Sequence, residues 1–273
     1  MKRPRPGPLD GRTAVVTGAA RGLGEQLAYA LARRGVRVAV VGLEEDRLAR
    51  LAAALPGGAA WAVDVTDPEA LARTAEDVSL RLGPPSVVVA NAGVCAGGPL
   101  EQEPPETWRR IVEVNLVGSA LTARCFLPAL DRTRGYFLQV ASLAALAPAP
   151  LLSAYCASKA GVESFAQCLR AEVAHRGVGV GVAYVGWVGT DMIRAADRTE
   201  AFQELRSRMP GPLGSVQDPA RVVDRLVRGI EHRAVHVESP PWLWETGKDS
   251  PTGREIWKLG ICPSMLADPA SLT

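Results

Sequence analysis

Short apolar runs alternate along this chain with longer segments of mixed polarity. Six runs lie at 13–17, 36–41, 59–63, 86–90, 135–141 and 178–185, and a shorter seventh lies at 234–237. Their apolar residues are nearly continuous rather than alternating, which is typical of strands covered by helices on both faces of a sheet. We therefore predict that each run is a strand and that most of these strands are buried.

The segments between these runs have apolar residues at helical spacing. They lie at 22–34, 44–54, 68–82, 106–130 and 153–176, and a further helix is predicted at 218–232. Asp218 is the predicted N-cap of the last helix, with Pro219 in its first turn. The regular alternation predicts an α/β fold with a single Rossmann-like, doubly wound parallel sheet flanked by helices on both faces.

Changes in composition suggest where this domain begins and ends. Residues 1–9 are basic and proline-rich, and we expect them to form a disordered leader. Residues 10–240 are predicted to form the Rossmann-fold domain, with a charged lid at about 191–215. Residues 241–273 contain three tryptophans and differ from the rest. They are expected to form a tail that packs on the domain or on a partner subunit.

Composition narrows the class of protein. The chain has 273 residues, of which 47% are hydrophobic and 22% charged, so one large core can be buried. A formal charge of +2 does not favour nucleic acid or an anionic membrane as a partner. No signal peptide and no membrane span are predicted, so a cytoplasmic location is expected. Five cysteines without a C-x-x-C pair suggest free buried thiols, and no metal site is predicted.

A glycine cluster follows the first predicted strand directly. The sequence "TGAARGLG" places Gly18, Gly22 and Gly24 between this strand and the next helix. Glycines let the backbone turn tightly and approach a pyrophosphate, which then binds the free N–H groups of the helix. The position favours a dinucleotide-binding loop over a plain turn, although the spacing T-G-x-x-x-G-x-G differs from G-x-G-x-x-G.

Four polar residues are candidates for catalysis. Tyr155 and Lys159 are four residues apart, so they share one face of a helix. A neighbouring ammonium stabilises a phenolate, which by itself forms only near pH 10. Ser142 ends a predicted strand, where it either reaches over the sheet edge or caps a turn. Asn115 lies inside a helical segment, where it either bonds a backbone carbonyl or opens the helix and holds a water.

Taken together, these motifs resemble the classical short-chain dehydrogenase/reductase family. The resemblance rests on the glycine loop, on "ANAG" at 90–93, on Asn115, and on Ser142 thirteen residues before "YCASK". It implies that Tyr155 is the general acid/base, while Lys159 lowers its pKa and binds the nicotinamide ribose. Ser142 would position the substrate oxygen, and Asn115 would hold a water that relays protons to Lys159.

The resemblance also implies a set of cofactor-binding residues. Asp64 would contact the adenine amine, Asn91 would brace the central sheet, and Gly93 would let the cofactor approach closely. The complete set is Gly18, Arg21, Gly22, Leu23, Gly24, Gly42, Leu43, Asp64, Val65, Asn91, Ala92, Gly93, Tyr155, Lys159, Val188 and Thr190. Relatives usually have Pro-Gly where this chain has Val185-Gly186, so the loop leading to Val188 departs from the family pattern.

The end of the second predicted strand bears on which dinucleotide binds. Relatives that use NAD usually carry Asp at the Gly42 position, and its absence removes the main feature that rejects a 2′-phosphate. Arg21 stands where NADP-dependent relatives often carry a base, but the second common base is replaced by Leu43. Glu44 and Glu45 would repel a phosphate if they pointed inward, although acids there also complement the helix dipole. The resemblance therefore favours NADP(H) over NAD(H), mainly because of Arg21.

The residues predicted to line the substrate pocket are apolar. They are Val94, Leu143, Leu146, Leu151, Leu152, Trp187 and Met192, some of which could instead only pack the lid. No charged residue is placed to bind a carboxylate or phosphate, which favours a small hydrophobic ketone or secondary alcohol, as used in secondary metabolism. By the resemblance, segments 106–130 and 153–176 form a subunit interface, so a homodimer or homotetramer is expected.

The main hypothesis is therefore an oxidoreductase that transfers hydride between a nicotinamide and such a substrate. One alternative is a catalytically idle nucleotide-sensing protein, although such proteins typically lose the tyrosine or the lysine. A second is an extended epimerase/dehydratase-type enzyme, which the glycine spacing and short C-terminal part disfavour. A third is a biosynthetic enzyme that performs a non-redox elimination or rearrangement, which nothing in the sequence excludes.

Overall fold

Within the part of the chain that the structure describes, seven parallel strands form one sheet in the order β3-β2-β1-β4-β5-β6-β7. The computed structural model describes residues 7–198, 200–207, 209 and 214–239. The strands are β1 Thr13–Thr17, β2 Arg37–Gly42, β3 Ala59–Ala62, β4 Val87–Ala90, β5 Tyr136–Val140, β6 Gly179–Val185 and β7 His236–Ser239. Each lies within two residues of a predicted run, and the predicted doubly wound fold is confirmed.

The helices cover both faces of this sheet. They are α1 Gly22–Ala32, α2 Glu45–Ala54, α3 Pro68–Leu82, α4 Pro105–Val112, α5 Gly118–Thr133, α6 Ser153–Val173, α7 Asp191–Ala196, α8 Glu200–Ser207 and α9 Pro219–Glu231. The predicted N-cap of α9 is confirmed, because the Asp218 carboxylate accepts a hydrogen bond of 3.0 Å from the Ala220 N–H.

Alternating side chains of the strands build two apolar layers. On β1, Val16 packs in the layer with Leu27 of α1 and Leu226 of α9. Its neighbour Val15 packs on the opposite face with Phe126 of α5, in the layer that also includes α3 and α6. Because both faces are covered, the strands have no polar side, which explains their continuous apolar runs.

The sheet order reverses between β1 and β4, and this reversal positions the candidate site. In open α/β sheets, ligands bind in the crevice beyond the carboxyl ends of the strands at such a point. The glycine loop leaves the carboxyl end of β1, and Asn91 follows the end of β4. The two motifs that are far apart in sequence therefore meet at one edge.

The predicted helix at 106–130 is interrupted in the structure. Its α-helical parts, α4 and α5, are joined by a π-helical segment, Glu113–Val117, which contains Asn115. The whole stretch Pro105–Thr133 has a mean hydropathy of 1.2 over its most apolar window, enough by length and composition to cross a membrane. It packs against α3 and α6 in one helical layer, as core helices of globular domains also do.

Several predictions concern the ends of the chain and its cysteines. Residues 1–6 of the predicted leader and the tail 241–273 lie outside the described residues, whereas Leu9 is buried. The predicted lid region contains α7 and α8. Cys95, Cys125, Cys156 and Cys168 are free thiols, but only Cys156 is buried, so the expectation of buried cysteines is wrong for the other three.

Candidate active site

The glycine loop is packed so closely that side chains are excluded from it. A Cβ at Gly24 would lie 2.4 Å from the Gly18 carbonyl oxygen, and one at Gly18 would lie 2.7 Å from the Ala92 Cα. Gly18 and Gly22 both have positive φ, near +60°, which glycine adopts without strain. The sequence pattern of the loop thus follows from its tight contact with the segment after β4.

Asn91 and Thr17 hold these two segments together. The Asn91 side-chain amide donates to the carbonyls of Thr17, at 2.9 Å, and Gly18, at 3.3 Å. The Thr17 hydroxyl oxygen accepts from the N–H groups of Asn91 and Ala92 at 3.0 and 3.1 Å. Asn91 therefore braces the centre of the sheet, the role that the resemblance implied. Thr17 was missed, although it is the first letter of the quoted loop motif.

The first turn of α1 is available to an anion. Its N-cap residue, Arg21, has extended backbone and makes no side-chain cap, so among the described residues no side chain satisfies these N–H groups in the usual way. Leu23, in this turn, packs against the core. Such an uncapped, glycine-lined helix start fits a dinucleotide pyrophosphate.

Tyr155 and Ser142 meet beyond the carboxyl ends of β5 and β6. The Ser142 hydroxyl lies close enough to the Tyr155 phenol to lower its pKa. Tyr155 lies in the first turn of α6, while Ser142 follows β5 and is the N-cap of a single 3₁₀ turn, Leu143–Ala145. The Ser142 oxygen also accepts from the Ala144 N–H at 3.1 Å. Ser142 therefore both reaches over the sheet edge and caps a turn, the two roles that the sequence left open.

Lys159 is buried beside this pair. Its Nζ donates a hydrogen bond of 3.1 Å to the Val140 carbonyl and lies 5.6 Å from the centre of the Tyr155 ring. A Cβ at Gly93 would lie 3.7 Å from the same Nζ and 3.2 Å from Asn115 Oδ1. The absence of a side chain at Gly93 therefore leaves space between Lys159 and Asn115.

Burial changes the acidity of these groups. Burial lowers the pKa of Lys159 to about 8, and the nearby Cys95 partly offsets this effect. Burial raises the pKa of Tyr155, and the effect of the Ser142 hydroxyl is too weak to reverse that direction. In the protein by itself burial dominates the pKa of Tyr155 and raises it, so the expectation that Lys159 lowers this pKa stays a prediction.

Asn115 explains the π-helical segment. Its Oδ1 accepts from the Val94 N–H at 2.8 Å, and its Nδ2 donates to the Val94 carbonyl at 3.0 Å. The Asn115 side chain thus pairs with the Val94 backbone as the backbone of a neighbouring strand would. This pairing requires the amide to point towards the loop after β4. The side chain is 1% exposed. Of the two roles that the sequence left open, the bond to a backbone carbonyl is confirmed, and the helix is also irregular here, as helices often are at functional sites.

On the adenosine side, Asp64 is held by neighbours that the sequence did not indicate. Its carboxylate accepts 2.8 Å hydrogen bonds from Arg110 of α4 and from the Thr66 hydroxyl. Although burial raises the pKa of Asp64, its bonds to Thr66 and Arg110 outweigh that effect and lower it. Val65 packs so closely on α5 that a Cβ at Gly118 would lie 2.6 Å from it.

The end of β2 and the glycine loop are joined by an ion pair between Arg21 and Glu44. Gly42 and Leu43 precede Glu44, and the Leu43 side chain is 60% exposed. A Cβ at Gly42 would meet Leu48 at 3.7 Å and the Ala19 nitrogen at 3.8 Å, which are ordinary contacts. Packing around a Cβ therefore does not require glycine at this position.

The loop after β6 reaches back over the glycine loop despite its unusual Val185-Gly186. Val188 is buried and forms an isolated parallel bridge with Gln217. Thr190 lies beside the glycine loop, since a Cβ at Gly22 would be 3.6 Å from its side chain. Both residues thus lie on the loop that the resemblance assigns to the nicotinamide, and Thr190 approaches the dinucleotide loop directly.

An apolar cluster packs beside Tyr155. Leu152 and Trp187, two of the predicted lining residues, pack there with Tyr155. The cluster also contains residues that the sequence did not indicate, namely Cys95, Ala144, Ala149, Cys156, Ala196, Phe202, Leu205 and Met209. The other predicted lining residues, Val94, Leu143, Leu146, Leu151 and Met192, lie outside this cluster. Phe202 and Leu205 come from the predicted lid, where the spacing of apolar residues on α8 was the available signal.

The arrangement supports acid/base chemistry next to a dinucleotide. One hydroxyl pair can exchange a proton with a substrate oxygen, and a buried ammonium lies beside it. The glycine loop and the uncapped α1 fit the phosphates. Within the described residues, no group of three or more His, Cys, Asp or Glu side chains is arranged to hold a metal ion.

Comparisons with known proteins agree with this geometry. A family model described as short chain dehydrogenase matches residues 12–201. The probable oxidoreductase EphD of Mycobacterium tuberculosis is 39% identical over 244 residues, covering 84% of this chain and 41% of that relative. The chain therefore spans about two fifths of the length of this relative.

Two shorter relatives match over nearly their whole length. The inactive 2-(S)-hydroxypropyl-CoM dehydrogenase 2 of Xanthobacter autotrophicus is 34% identical over 217 residues, covering 77% of this chain and 94% of the relative. The 3-oxoacyl-[acyl-carrier-protein] reductase FabG of Escherichia coli is 31% identical over 217 residues, covering 79% of this chain and 89% of the relative.

Proposed function

Because the chain belongs to the short-chain dehydrogenase family, we propose that it is an NAD(P)-dependent oxidoreductase acting on a hydrophobic ketone or secondary alcohol. The observation that carries this proposal is that Tyr155 lies between Ser142 and the buried Lys159, with an apolar cluster packed beside its ring. A nicotinamide cofactor, when bound, supplies or accepts the hydride.

The three side chains divide the remaining chemistry. Tyr155 gives its proton to the substrate oxygen during reduction and takes one back during oxidation. Its raised pKa keeps it protonated near neutral pH, which is the form that reduction needs. Ser142 holds the same oxygen in place through its hydroxyl. The ammonium of Lys159, 5.6 Å from the phenol ring, offsets the charge that develops on the phenolate.

NADP(H) is the proposed dinucleotide. No carboxylate extends from Gly42 to exclude a 2′-phosphate, and Arg21 lies at the adjoining loop. Gly18, Gly22 and Gly24 would hold the phosphates at the start of α1. The pairing of Arg21 with Glu44 weakens this preference, and its consequence is developed below.

The apolar cluster beside Tyr155 favours an apolar substrate. Its described members are aliphatic, aromatic or sulfur-containing, and none of them carries a formal charge at neutral pH. Burial raises the pKa of Cys95 to about 12, so this thiol stays neutral. The FabG relative is named as a reductase of 3-oxoacyl groups, which are ketones on an acyl chain. A ketone of comparable hydrophobicity is the class that we expect this chain to reduce.

A catalytically idle protein is the second candidate, because one of the relatives is named as inactive. The present chain keeps Asn115, Ser142, Tyr155 and Lys159, and the structure brings the last three together. A non-redox elimination or rearrangement by the same residues would leave the nicotinamide unchanged overall. Both alternatives predict no net change in nicotinamide absorbance on addition of substrate.

Steady-state turnover with NADPH and with NADH tests the proposal. A panel of ketones of increasing hydrophobicity, including a 3-oxoacyl thioester, is followed by nicotinamide absorbance and by product analysis. We expect faster turnover with NADPH, and a loss of about 10²–10⁴ in kcat for Tyr155→Phe. Unchanged turnover in Tyr155→Phe would refute the assigned role. Tighter binding of NADH, with no loss in Arg21→Ala, would overturn the choice of cofactor.

The assembly and location of the protein stay part of the proposal. We propose a homodimer or homotetramer formed through the helical layer of α4, α5 and α6, in the cytoplasm. The exposed Val117 on this layer is a suitable contact residue. Native mass measurement of the wild type and of Val117→Asp tests the interface, since a charge at a subunit contact favours dissociation.

A further inference from the structure

An ion pair closes the site at which the second phosphate of NADP(H) would bind. Arg21 immediately precedes α1, and Glu44 immediately precedes α2. Because β1 and β2 are neighbours, the loops after them converge, and the Arg21 guanidinium pairs with the Glu44 carboxylate. The pair stays partly accessible, with side-chain exposures of 57% for Arg21 and 33% for Glu44.

Glu44 is the first acidic residue after β2. In the absence of a side chain at Gly42, its carboxylate is the negative charge that meets Arg21. A 2′-phosphate also requires a cation, and Arg binds phosphate strongly through charge-assisted hydrogen bonds. The Glu44 carboxylate and the 2′-phosphate therefore compete for the same Arg21 guanidinium.

We propose that Glu44 sets the cofactor preference of this protein by competing with the 2′-phosphate of NADP(H) for Arg21. In this exchange the phosphate displaces the carboxylate from the guanidinium, whereas NAD(H) leaves the pair intact. The inference rests on the proposed function, because it assumes that a dinucleotide occupies the glycine loop. It assigns Glu44 the role of a specificity-determining residue, which the sequence indicated only as a source of repulsion.

The pair is suited to exchange rather than to a permanent block. Exposed ion pairs contribute little net stability, because water solvates both partners well. A phosphate dianion carries more charge than a carboxylate, so it can displace Glu44 at a moderate cost in affinity. Glu44 therefore reduces the selectivity for NADP(H) without abolishing binding.

The neighbouring charges leave Glu44 as the relevant competitor. Asp191 of the lid region also lies near Arg21, but its carboxylate accepts a 2.6 Å hydrogen bond from Arg194. The pKa of Asp191 is lowered first by Arg194, with smaller effects of Arg47 and Arg21. Arg21 is thus a minor influence on Asp191, whereas it forms a direct ion pair with Glu44.

Isothermal titration of the full chain with 2′,5′-ADP and with 5′-AMP measures the effect without catalysis. The proteins are the wild type, Glu44→Gln, Arg21→Gln, the double variant and the control Glu45→Gln. Glu45 lies next to Glu44, is exposed, and its variant removes the same charge. We expect Glu44→Gln to bind 2′,5′-ADP about three- to tenfold more tightly, with 5′-AMP changed less than about twofold. In the Arg21→Gln background this gain disappears, and Glu45→Gln resembles the wild type.

Three results would overturn the proposal. The first is an affinity of Glu44→Gln for 2′,5′-ADP that is unchanged or weaker than that of the wild type. The second is an equal gain in affinity for both nucleotides, or the same gain in Glu45→Gln. The third is a gain in affinity that persists in the Arg21→Gln background. A chain that binds both nucleotides but transfers no hydride would contradict the proposed function. The differences in nucleotide affinity between the variants would still decide the role of Glu44. Absence of binding to every variant would overturn both.

Discussion

The side-chain amide of Asn115 donates a hydrogen bond of 2.9 Å to the hydroxyl of Ser158. This bond ties the π-helical segment between α4 and α5 to α6, which carries Tyr155 and Lys159. The same amide pairs with both backbone groups of Val94, so one buried side chain joins three segments around the ammonium of Lys159. Its position gives Asn115 a structural role in addition to any part in proton relay.

Asn115→Leu is expected to lower the free energy of unfolding by about 2–4 kcal/mol, because it removes partners from polar groups in a confined site. Urea denaturation measures the change. Ser158→Ala is the control. It removes the hydrogen bond that the Asn115 amide donates to the Ser158 hydroxyl, and the one that this hydroxyl donates to the Tyr155 carbonyl. We expect a loss of about 1 kcal/mol there. Equal losses in the two variants would contradict the central role of Asn115.

Lys159→Met is expected to stabilise the fold at neutral pH while abolishing turnover. Burial lowers the pKa of Lys159 from 10.5 to about 8, so below pH 8 the folded protein carries the full cost of desolvating the ammonium. Between these values the unfolded chain binds more protons, and the unfolding free energy of the wild type therefore rises with pH. We expect the free energy of unfolding of Lys159→Met to exceed that of the wild type by about 1–3 kcal/mol at pH 7.

This gain should shrink as the pH rises from about 8 towards 10.5, because Lys159 then loses its charge in the wild type as well. Urea denaturation of both proteins across this range gives the difference in stability at each pH. A difference that does not change with pH would show that the ammonium carries no desolvation cost.

Gly24→Ala should disrupt the glycine loop. The new Cβ would lie 2.4 Å from the Gly18 carbonyl oxygen and 2.6 Å from Asn91 Nδ2. Either the backbone of the loop or the Asn91 side chain must therefore move. We expect a loss of about 1–3 kcal/mol in stability together with weaker binding of 5′-AMP. Gly98→Ala provides the comparison, because nothing lies within 4 Å of its Cβ, and it should change stability by less than about 0.5 kcal/mol.

Gly42→Asp should shift binding away from nucleotides with a 2′-phosphate. A Cβ at this position makes only ordinary contacts, and the added carboxylate would repel the phosphate. We expect 2′,5′-ADP to bind at least about tenfold more weakly and 5′-AMP to be unaffected. Gly42→Asn has nearly the same size without the charge and should retain most of the 2′,5′-ADP affinity. A similar loss in both variants would point to steric exclusion instead.

Phe202→Ala should remove apolar surface from the cluster beside Tyr155. The ring reaches the loop after β4, since a Cβ at Gly97 would lie 2.9 Å from Phe202 Cζ. Loss of this apolar surface should raise the KM for a hydrophobic ketone by about tenfold or more, with a smaller effect on kcat. Ser207→Ala, on an exposed part of α8, should leave KM unchanged. An unaltered KM in Phe202→Ala would place the substrate elsewhere.

Much of this protein was predictable because its signals are local. The runs of apolar residues predicted all seven strands, since a strand buried on both faces needs apolar residues at every position. The motif spacing predicted that the glycine loop, Ser142 and Tyr155 belong to one site, and the family match confirmed the resemblance that they carry. For Asn115 the sequence left open a bond to a backbone carbonyl and a local opening of the helix, and the structure shows this carbonyl bond within a π-helical segment.

The sequence by itself thus determined the order of the elements and the sheet type, and it supplied the candidate residues for the chemistry. Only the tertiary structure decided that Arg21 pairs with Glu44, that Arg110 holds Asp64, and that burial raises the pKa of Tyr155. These properties depend on contacts between residues that different strands and helices bring together. Local hydrophobic periodicity and short motifs do not predict such contacts. These contacts arise only when the sheet aligns the carboxyl ends of its strands.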